Sequence, residues 1–273
     1  NKLCMDCDVV FHLAGKVHSI PSTGKEEEDF FRVNVEGTRN LLNASKKNRV
    51  KKVIFYSTVG VYGENADFHG DEFSPCQPGS VYAESKYLAE QLILDSFKNG
   101  GPNGIVLRFP VAYGPLDRGN VASLIKSIHH RYFFYFGDGN CLKSMISSKN
   151  AAEAAIKTAF EPKVANGLFC VTDGQDYRLK EIIEKICQAI NTNWRPKHIP
   201  ISIAKGLGKF GDLFERLTHY SMPINSSKVV KLSRPLTFSC EKAIRVFKYR
   251  PIENLYDGIT KEVEWLKGIN GWK

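Results

Sequence analysis

The sequence predicts an α/β protein organised around a parallel sheet, and three observations carry that expectation. Apolar, β-branched or aromatic runs recur at residues 8–13 (Asp-Val-Val-Phe-His-Leu), 53–56 (Val-Ile-Phe-Tyr) and 104–109 (Gly-Ile-Val-Leu-Arg-Phe), as buried strands require. Each run ends in small or turn-forming residues: Ala14-Gly15, Ser57-Thr58, and the stretch from Pro110 to Pro115. Helix-like or loop segments separate the runs, the alternation that a parallel sheet produces.

The first run closes on Ala14 and Gly15, small enough for a flat ligand to approach the backbone. Residues 16–28, Val17 and His18 among them, are polar and irregular and read as a loop. A helical pattern occupies 33–45, and Asn34 near its start suits a helix terminus. The run Lys46-Lys47-Asn48-Arg49-Val50-Lys51-Lys52 follows it, where cations oppose the negative end of the helix dipole. The 53–56 strand then delivers Ser57 and Thr58 to its C-terminal end, the edge where open α/β sheets bind ligands.

Tyr82 and Lys86 stand four residues apart and so share one helix face. An ammonium beside a phenol favours the phenolate and lowers the Tyr pKa from about 10. Tyr82 would then be a general acid/base near neutral pH. Exposed amphipathic helices also carry such pairs, so this one gains meaning only from its surroundings.

Beyond Tyr113 the character changes. Residues 115–120 are turn-rich, 121–130 read as a helix, 132–136 as an apolar strand and 137–140 as a turn. An Ala-rich helix spans 150–160, a short strand 168–171 and an amphipathic helix 179–190. Ile199-Pro200-Ile201 leads into a further helix, and Trp265 closes a final one.

The segments DVVFHLAG, FRVNVEGTRNLL, FYSTVGVYG, YAESK, LRFPVAYGPLDRGN and FKYRPIENLYDGITKEVEW run in an order that resembles the extended short-chain dehydrogenase/reductases, of the NAD-dependent epimerase/dehydratase family, over nearly the whole chain. The resemblance implies a Rossmann-type doubly wound parallel sheet with a smaller C-terminal α/β substrate lobe. Residues 1–112 would be the later part of an NAD(P)-binding domain, with about 144–173 returning to it, and 113–143 and 174–273 would form the substrate lobe. The family opens on a strand and a Gly-x-x-Gly-x-x-Gly turn. No such turn precedes the 8–13 run. The expectation is an N-terminally incomplete copy of the family, short of about two βα units of roughly 30 residues each. The alternative is a short natural variant that does not bind the dinucleotide.

The resemblance assigns catalysis to Thr58, Tyr82 and Lys86. Tyr82 would exchange a proton with a sugar hydroxyl as hydride moves to or from the nicotinamide. Lys86 would lower the Tyr82 pKa and hold the nicotinamide ribose. Thr58, four residues before the Tyr of Val-Tyr-Gly, would hydrogen-bond the reacting oxygen. Ala14 and Gly15 would pass beneath NAD or NADP, Phe109, Pro110 and Val111 would frame its nicotinamide end, and Asn34 would lie against the cluster and steady its helix. His18, Asn120 and Lys143 would meet the substrate. Lys143 stands where relatives often carry Arg and offers a point charge in place of a fork. A second departure is Ser147-Ser148-Lys149-Asn150, where relatives usually carry an acidic pair.

The activity implied is NAD(P)-dependent oxidation and reduction at C4 of a nucleotide sugar, UDP-linked, by an epimerase or a 4-ketoreductase. A dehydratase needs an acidic pair after Thr58, where Val59 and Gly60 stand. A steroid or flavonoid dehydrogenase on the same fold is one alternative, and a non-catalytic scaffold or remnant another.

Composition sets the outer bounds. The 273 residues, 42% hydrophobic and 25% charged, suit a globular protein with a sizeable core. No run of 18 apolar residues predicts a membrane span. The net charge of +9 raises nucleic-acid binding, but no aromatics interleave the basic run and no nucleic-acid motif accompanies it. A basic balance also suits a dianionic sugar nucleotide. Cys4 and Cys7 form a Cys-x-x-Cys without a second pair or His cluster, which predicts reduced thiols in a cytoplasmic protein and no metal. A homodimer is left open.

Overall fold

The computed structural model describes residues 4–17, 21, 23–63, 68–218 and 224–270. In chain order the elements are β1 (Val9–His12), α1 (Gly24–Phe31), α2 (Gly37–Lys47), β2 (Lys52–Thr58), β3 (Phe68–Gly70), α3 (Val81–Asp95), β4 (Asn103–Phe109), β5 (Val111–Tyr113), α4 (Asn120–His129), β6 (Phe134–Phe136) and β7 (Leu142–Ser147). They continue with α5 (Ser148–Phe160), β8 (Gly167–Cys170), β9 (Asp176–Arg178), α6 (Leu179–Ala189), β10 (Lys197–Ile199), α7 (Ile201–Thr218), α8 (Ser226–Ser233), β11 (Leu236–Phe238), α9 (Glu241–Phe247) and α10 (Leu255–Asn270).

The three apolar runs become β1, β2 and β4 of one parallel sheet in the order β1-β2-β4-β8. Strand periodicity sends alternate side chains to opposite faces. Val53, Phe55 and Val106 pack with Ala89 and Ile93 of α3, while Ile54, Ile105 and Leu107 pack with Ala151, Ala154 and Ala155 of α5. Covered on both faces, these strands carry continuous rather than alternating hydrophobicity. This is the doubly wound arrangement of a Rossmann-type sheet. A second sheet runs β3-β11-β7-β5, with β9 antiparallel beside β7, and β6 pairs β10 in parallel. Helices α4, α6 and α10 close a separate core around Tyr113, Tyr135 and Tyr177, with Trp265 half-buried at its margin.

Three expectations need correction. Residues 16–28 are not all loop: α1 begins at Gly24, because Thr23 caps it by accepting from Glu26 N and the acids Glu26 and Glu27 sit in its first turn. The helical pattern at 33–45 is not one regular helix, since Arg32–Glu36 forms a π-helical turn before α2. Likewise the 132–136 strand contracts to β6.

Three lysines of the basic run have partners within the fold. Lys46 donates to Asn99 O, Lys51 pairs with Asp8, and Lys52 donates to Thr158 O and Glu161 O at the end of α5. All seven cysteines are free thiols.

Where the two sheets meet, a buried polar knot forms. Asp173 Oδ1 accepts from Ser147 N and from Asn150 Nδ2, while Oδ2 accepts from the hydroxyls of Tyr113 and Tyr177. Asn150 also donates to Glu253 O and accepts at Oδ1 from the backbone N–H groups of Ile252 and Glu253. Its amide must therefore donate on one side and accept on the other. This explains why Asn stands at 150: a carboxylate there would face the Asp173 carboxylate. Burial already raises the Asp173 pKa, against the pull of its hydrogen-bond donors.

Asn150→Asp should therefore destabilise the fold by at least about 1.5–3 kcal/mol, the worth of a hydrogen bond to a charged group. The deficit should shrink as pH falls, because one carboxyl of the new pair takes up a proton with a raised pKa. Thermal denaturation across acid to neutral pH checks both parts, and an undiminished deficit at acid pH would contradict the charge argument.

Candidate active site

Helix α3 starts where Ser80 Oγ accepts from Ala83 N, and it carries Tyr82 and Lys86 one turn apart on the sheet-facing side. Thr58 ends β2 and pairs in register with Phe109 at the end of β4. Its Oγ1 accepts from Gly60 N at 3.0 Å, which leaves the hydroxyl proton to donate elsewhere. The Thr58 side chain reaches Tyr82 closely enough to draw its pKa down. Gly60 permits the approach, since a Cβ there would come 3.3 Å from Thr58 Oγ1 and 3.9 Å from Ala83 Cβ. The Tyr82 ring is steadied edge-on by buried Phe30 of α1, centroids 6.4 Å apart.

Lys86 is 96% shielded from solvent, with 4% relative exposure. Its ammonium lies 3.8 Å from the Phe55 ring centroid and donates to Tyr56 O. Burial pushes its pKa down to about 8, with the Glu90 charge acting the other way. The expected lowering of the Tyr82 pKa is not what this structure has. Burial raises it, the Thr58 side chain opposes that rise, and Lys86 makes no contribution because its ammonium is turned to the Tyr56 carbonyl and the Phe55 ring.

Asn34 lies in the π-helical turn and is buried. Its Nδ2 donates to Ser85 Oγ at 2.9 Å and to Lys16 O at 3.2 Å, and its Oδ1 accepts from Lys16 N at 2.7 Å. One amide thus clamps the strand after β1 onto α3 between Tyr82 and Lys86. The Thr38 hydroxyl donates to Asn34 O at 2.6 Å, so its proton is committed and His12 Nε2, at 2.8 Å, is the donor to Thr38 Oγ1. Burial and then the Lys86 charge hold His12 at a pKa of about 4, so it is neutral at neutral pH.

The other expected residues divide. Phe109 and Pro110 are buried beside Thr58, Val111 is exposed, and Tyr56 and Phe109 rings lie 5.1 Å apart. Ala14 is exposed at the end of the first strand segment. His18 lies outside the described residues. Asn120 is the exposed first residue of α4, whose N-terminal amides are already served by Asp117, accepting from Gly119 N and Ala122 N. The Lys143 ammonium donates to Lys231 O and Arg234 O and so caps the C-terminal turn of α8. Substrate contact for Lys143 is not supported by that geometry.

Sequence reasoning missed Glu90, Arg108 and Ser85. Glu90 sits one turn beyond Lys86 and takes Arg108 in a buried bidentate pair, 2.6 and 3.0 Å. A Glu four residues after the Lys was the available signal, but its partner lies 18 residues away on a strand.

Two features fit the nicotinamide-ribose end of NAD. Gly15 forms a floor on which a Cβ would come 3.2 Å from Asn34 Oδ1 and 4.0 Å from Lys86 Nζ. Ser57 Oγ, near the C-terminal end of β2, is buried with no hydrogen-bond partner among the described residues. Among the described residues no group of three or more His, Cys, Asp or Glu could hold a metal.

Residues 1–167 match the NAD dependent epimerase/dehydratase family, and the chain belongs to it. It is 32% identical over 218 residues to the N-acetyl-α-D-glucosaminyl-diphospho-ditrans,octacis-undecaprenol 4-epimerase of Escherichia coli O157:H7, covering 78% of this chain and 65% of that one. It is 30% identical over 218 residues to the UDP-glucose 4-epimerase of Vibrio cholerae, covering 77% and 66%. The chain thus spans slightly under two thirds of these relatives' length. In fold it is similar to a UDP-glucuronic acid 4-epimerase from Bacillus cereus in complex with NAD, with a TM-score of 0.76, 23% identity, and coverage of 100% of this chain and 78% of that one.

Lys86→Met should be thermally neutral or stabilising at neutral pH, since the folded protein no longer buries an ammonium. The sign follows from a folded pKa of about 8 against 10.5. Below 8 the folded state carries the full cost of the charge, so any gain in Tm is largest there and shrinks as pH rises toward 10.5. Melting curves of both proteins across this range provide the check, and a gain that grew with pH would contradict it.

Proposed function

We propose that the protein catalyses NAD(P)-dependent oxidation and reduction at C4 of a nucleotide sugar, UDP-linked, as an epimerase or 4-ketoreductase. The observation that carries the reading is the placing of Thr58 beside Tyr82, one helix turn from Lys86, at the C-terminal edge of a parallel sheet. Membership of an NAD-dependent family and the 4-epimerase relatives support the same class.

In this reading bound NAD would supply the hydride chemistry, and Gly15, Lys86 and Ser57 would hold its nicotinamide-ribose end. Thr58, with its acceptor side occupied by Gly60 N–H, donates to the reacting oxygen and fixes its position. Tyr82 takes the proton of the C4 hydroxyl in the oxidative direction and gives one to the C4 carbonyl oxygen in the reductive direction. With its pKa raised, Tyr82 is protonated at neutral pH and is ready as the acid of the reductive step. His12 stays neutral and supports the Asn34 clamp instead of moving protons.

A second substrate form has a specific observation behind it. The Escherichia coli relative is named for a sugar linked through diphosphate to undecaprenol. The C4 chemistry is the same, and the difference lies in what the diphosphate is attached to.

In the full-length protein, Tyr82→Phe should lower turnover by about 10²–10⁴-fold, the usual worth of a general acid/base. NAD binding, followed by calorimetry, should survive because the ring remains. A fall of less than about tenfold would remove Tyr82 from the proton path. Assays of UDP-hexoses, undecaprenyl-diphosphate-linked N-acetylglucosamine and steroids should show turnover of a sugar substrate. Turnover of steroids alone would overturn the sugar assignment and leave the Tyr82 chemistry standing.

A further inference from the structure

Helix α7 is packed inside out. Its buried positions are Ala204, Gly208 and Gly211, so the face turned to the protein carries almost no side chain. The glycines are needed for contact: a Cβ on Gly211 would lie 2.0 Å from Ile224 O, and one on Gly208 would lie 3.1 Å from Ser226 Cα. The backbone entering α8 therefore rests directly on α7. The large apolar residues point the other way. Ile203, Leu207, Phe210, Leu213, Phe214 and Leu217 are exposed, from 38% at Phe214 to 74% at Leu217.

These six residues are not scattered. At 100° per residue they fall within an arc of roughly 120°, a continuous stripe along the 18-residue helix. Contiguous apolar surface of this kind marks an interaction site, unlike single exposed hydrophobics.

The charges on α7 are sorted as well. Its acids are drawn toward α8: Asp212 accepts from Ser226 N, and Glu215 accepts from Asn225 Nδ2. Its cations Lys205, Lys209 and Arg216 are exposed and lie together along one border of the apolar stripe. An apolar face edged by cations alone fits a surface that is apolar inside and negative at its rim. A second copy of the chain would bring the same cationic border and the same net charge of +9. An anionic lipid bilayer has the complementary arrangement, acyl chains below and phosphates at the surface. No helix among the described residues is long and apolar enough to cross a membrane, so α7 would lie in the interface plane.

We propose that α7 is an in-plane membrane-binding helix, which seats its exposed apolar stripe in the surface of an anionic lipid bilayer and places Lys205, Lys209 and Arg216 against the headgroup phosphates. The proposal does not depend on the reaction assigned to the active site. It places the α7–α8 pair, tied to β7 by the Lys143 cap, at the bilayer.

Vesicle flotation tests it with the full-length protein and two lipid compositions, phosphatidylcholine alone and phosphatidylcholine with phosphatidylglycerol. The protein should float with the anionic vesicles and much less with the neutral ones. Leu207→Ser, Phe210→Ser and Leu217→Ser combined should abolish flotation while leaving far-UV circular dichroism and Tm unchanged, since all three side chains face outward. Lys205→Glu with Lys209→Glu should lower binding to anionic vesicles on the order of tenfold or more, from the electrostatic worth of each basic residue near such a surface. Failure of the unsubstituted protein to float would overturn the proposal, as would flotation of the serine variant. If the serine variant instead turned a dimer into a monomer in sedimentation, with no vesicle binding by the parent, a second copy would be the occupant. Capture of an acidic protein without vesicle binding would equally reject the membrane.

Discussion

The site depends first on a buried ion pair that touches no substrate. Glu90 is fully buried and Arg108 nearly so, and the pair joins α3 to β4 through two short parallel contacts. Two charges taken out of water are costly, and attraction offsets this only where geometry is good and further partners exist. Here the guanidinium also lies 4.6 Å over the Tyr62 ring. Removing either partner would leave a lone charge in the core, so the register of α3 against the sheet is fixed more strictly than apolar packing alone could fix it. Tyr82 and Lys86 inherit that register.

The same pair reaches the site electrostatically. Glu90 raises the pKa of Lys86 against the effect of burial, and Lys86 in turn depresses His12. The three groups form a ladder from the core to the end of β1. Lys86 is held at a pKa of about 8, and the His12 imidazole is neutral at neutral pH. A neutral His12 can donate through Nε2 to Thr38, which donates to Asn34 O, which lets the Asn34 side chain face Lys16 and Ser85. The π-helical turn provides the means. By bonding backbone groups five residues apart it opens the helix locally, a device often found at functional sites.

How much of this was legible in the sequence depended on whether the cause was local. Residue spacing revealed that Tyr82 and Lys86 share a face, and strand pattern put Thr58 at a sheet edge. Resemblance to the family supplied their roles. The direction of the Tyr82 pKa was misread, because spacing says nothing of where a flexible ammonium settles, and Lys86 settles on Tyr56 O. The partners of Lys143 were equally out of reach, being carbonyls 88 and 91 residues away. Asn150 looked like an unexplained departure until Asp173 stood beside it. Glu90 was not singled out at all, because its partner Arg108 comes from a strand 18 residues away. Local periodicity shows which way a side chain faces, while the partner that gives a buried polar group its meaning is set by topology.

Helix α7 extends this argument from the core to the surface. Several polar groups that turn inward elsewhere find partners on distant elements: Asn34, Glu90, Asn150 and Asp173. On α7 the inward face is nearly bare, and the apolar residues that would form a core are outside. Burying Gly208 and Gly211 gains little hydrophobic stabilisation, since glycine has no side chain to remove from water. The helix therefore adds little to the stability of its own lobe through that face. Its leucines and phenylalanines can gain the usual free energy of burial only against something other than the rest of this chain.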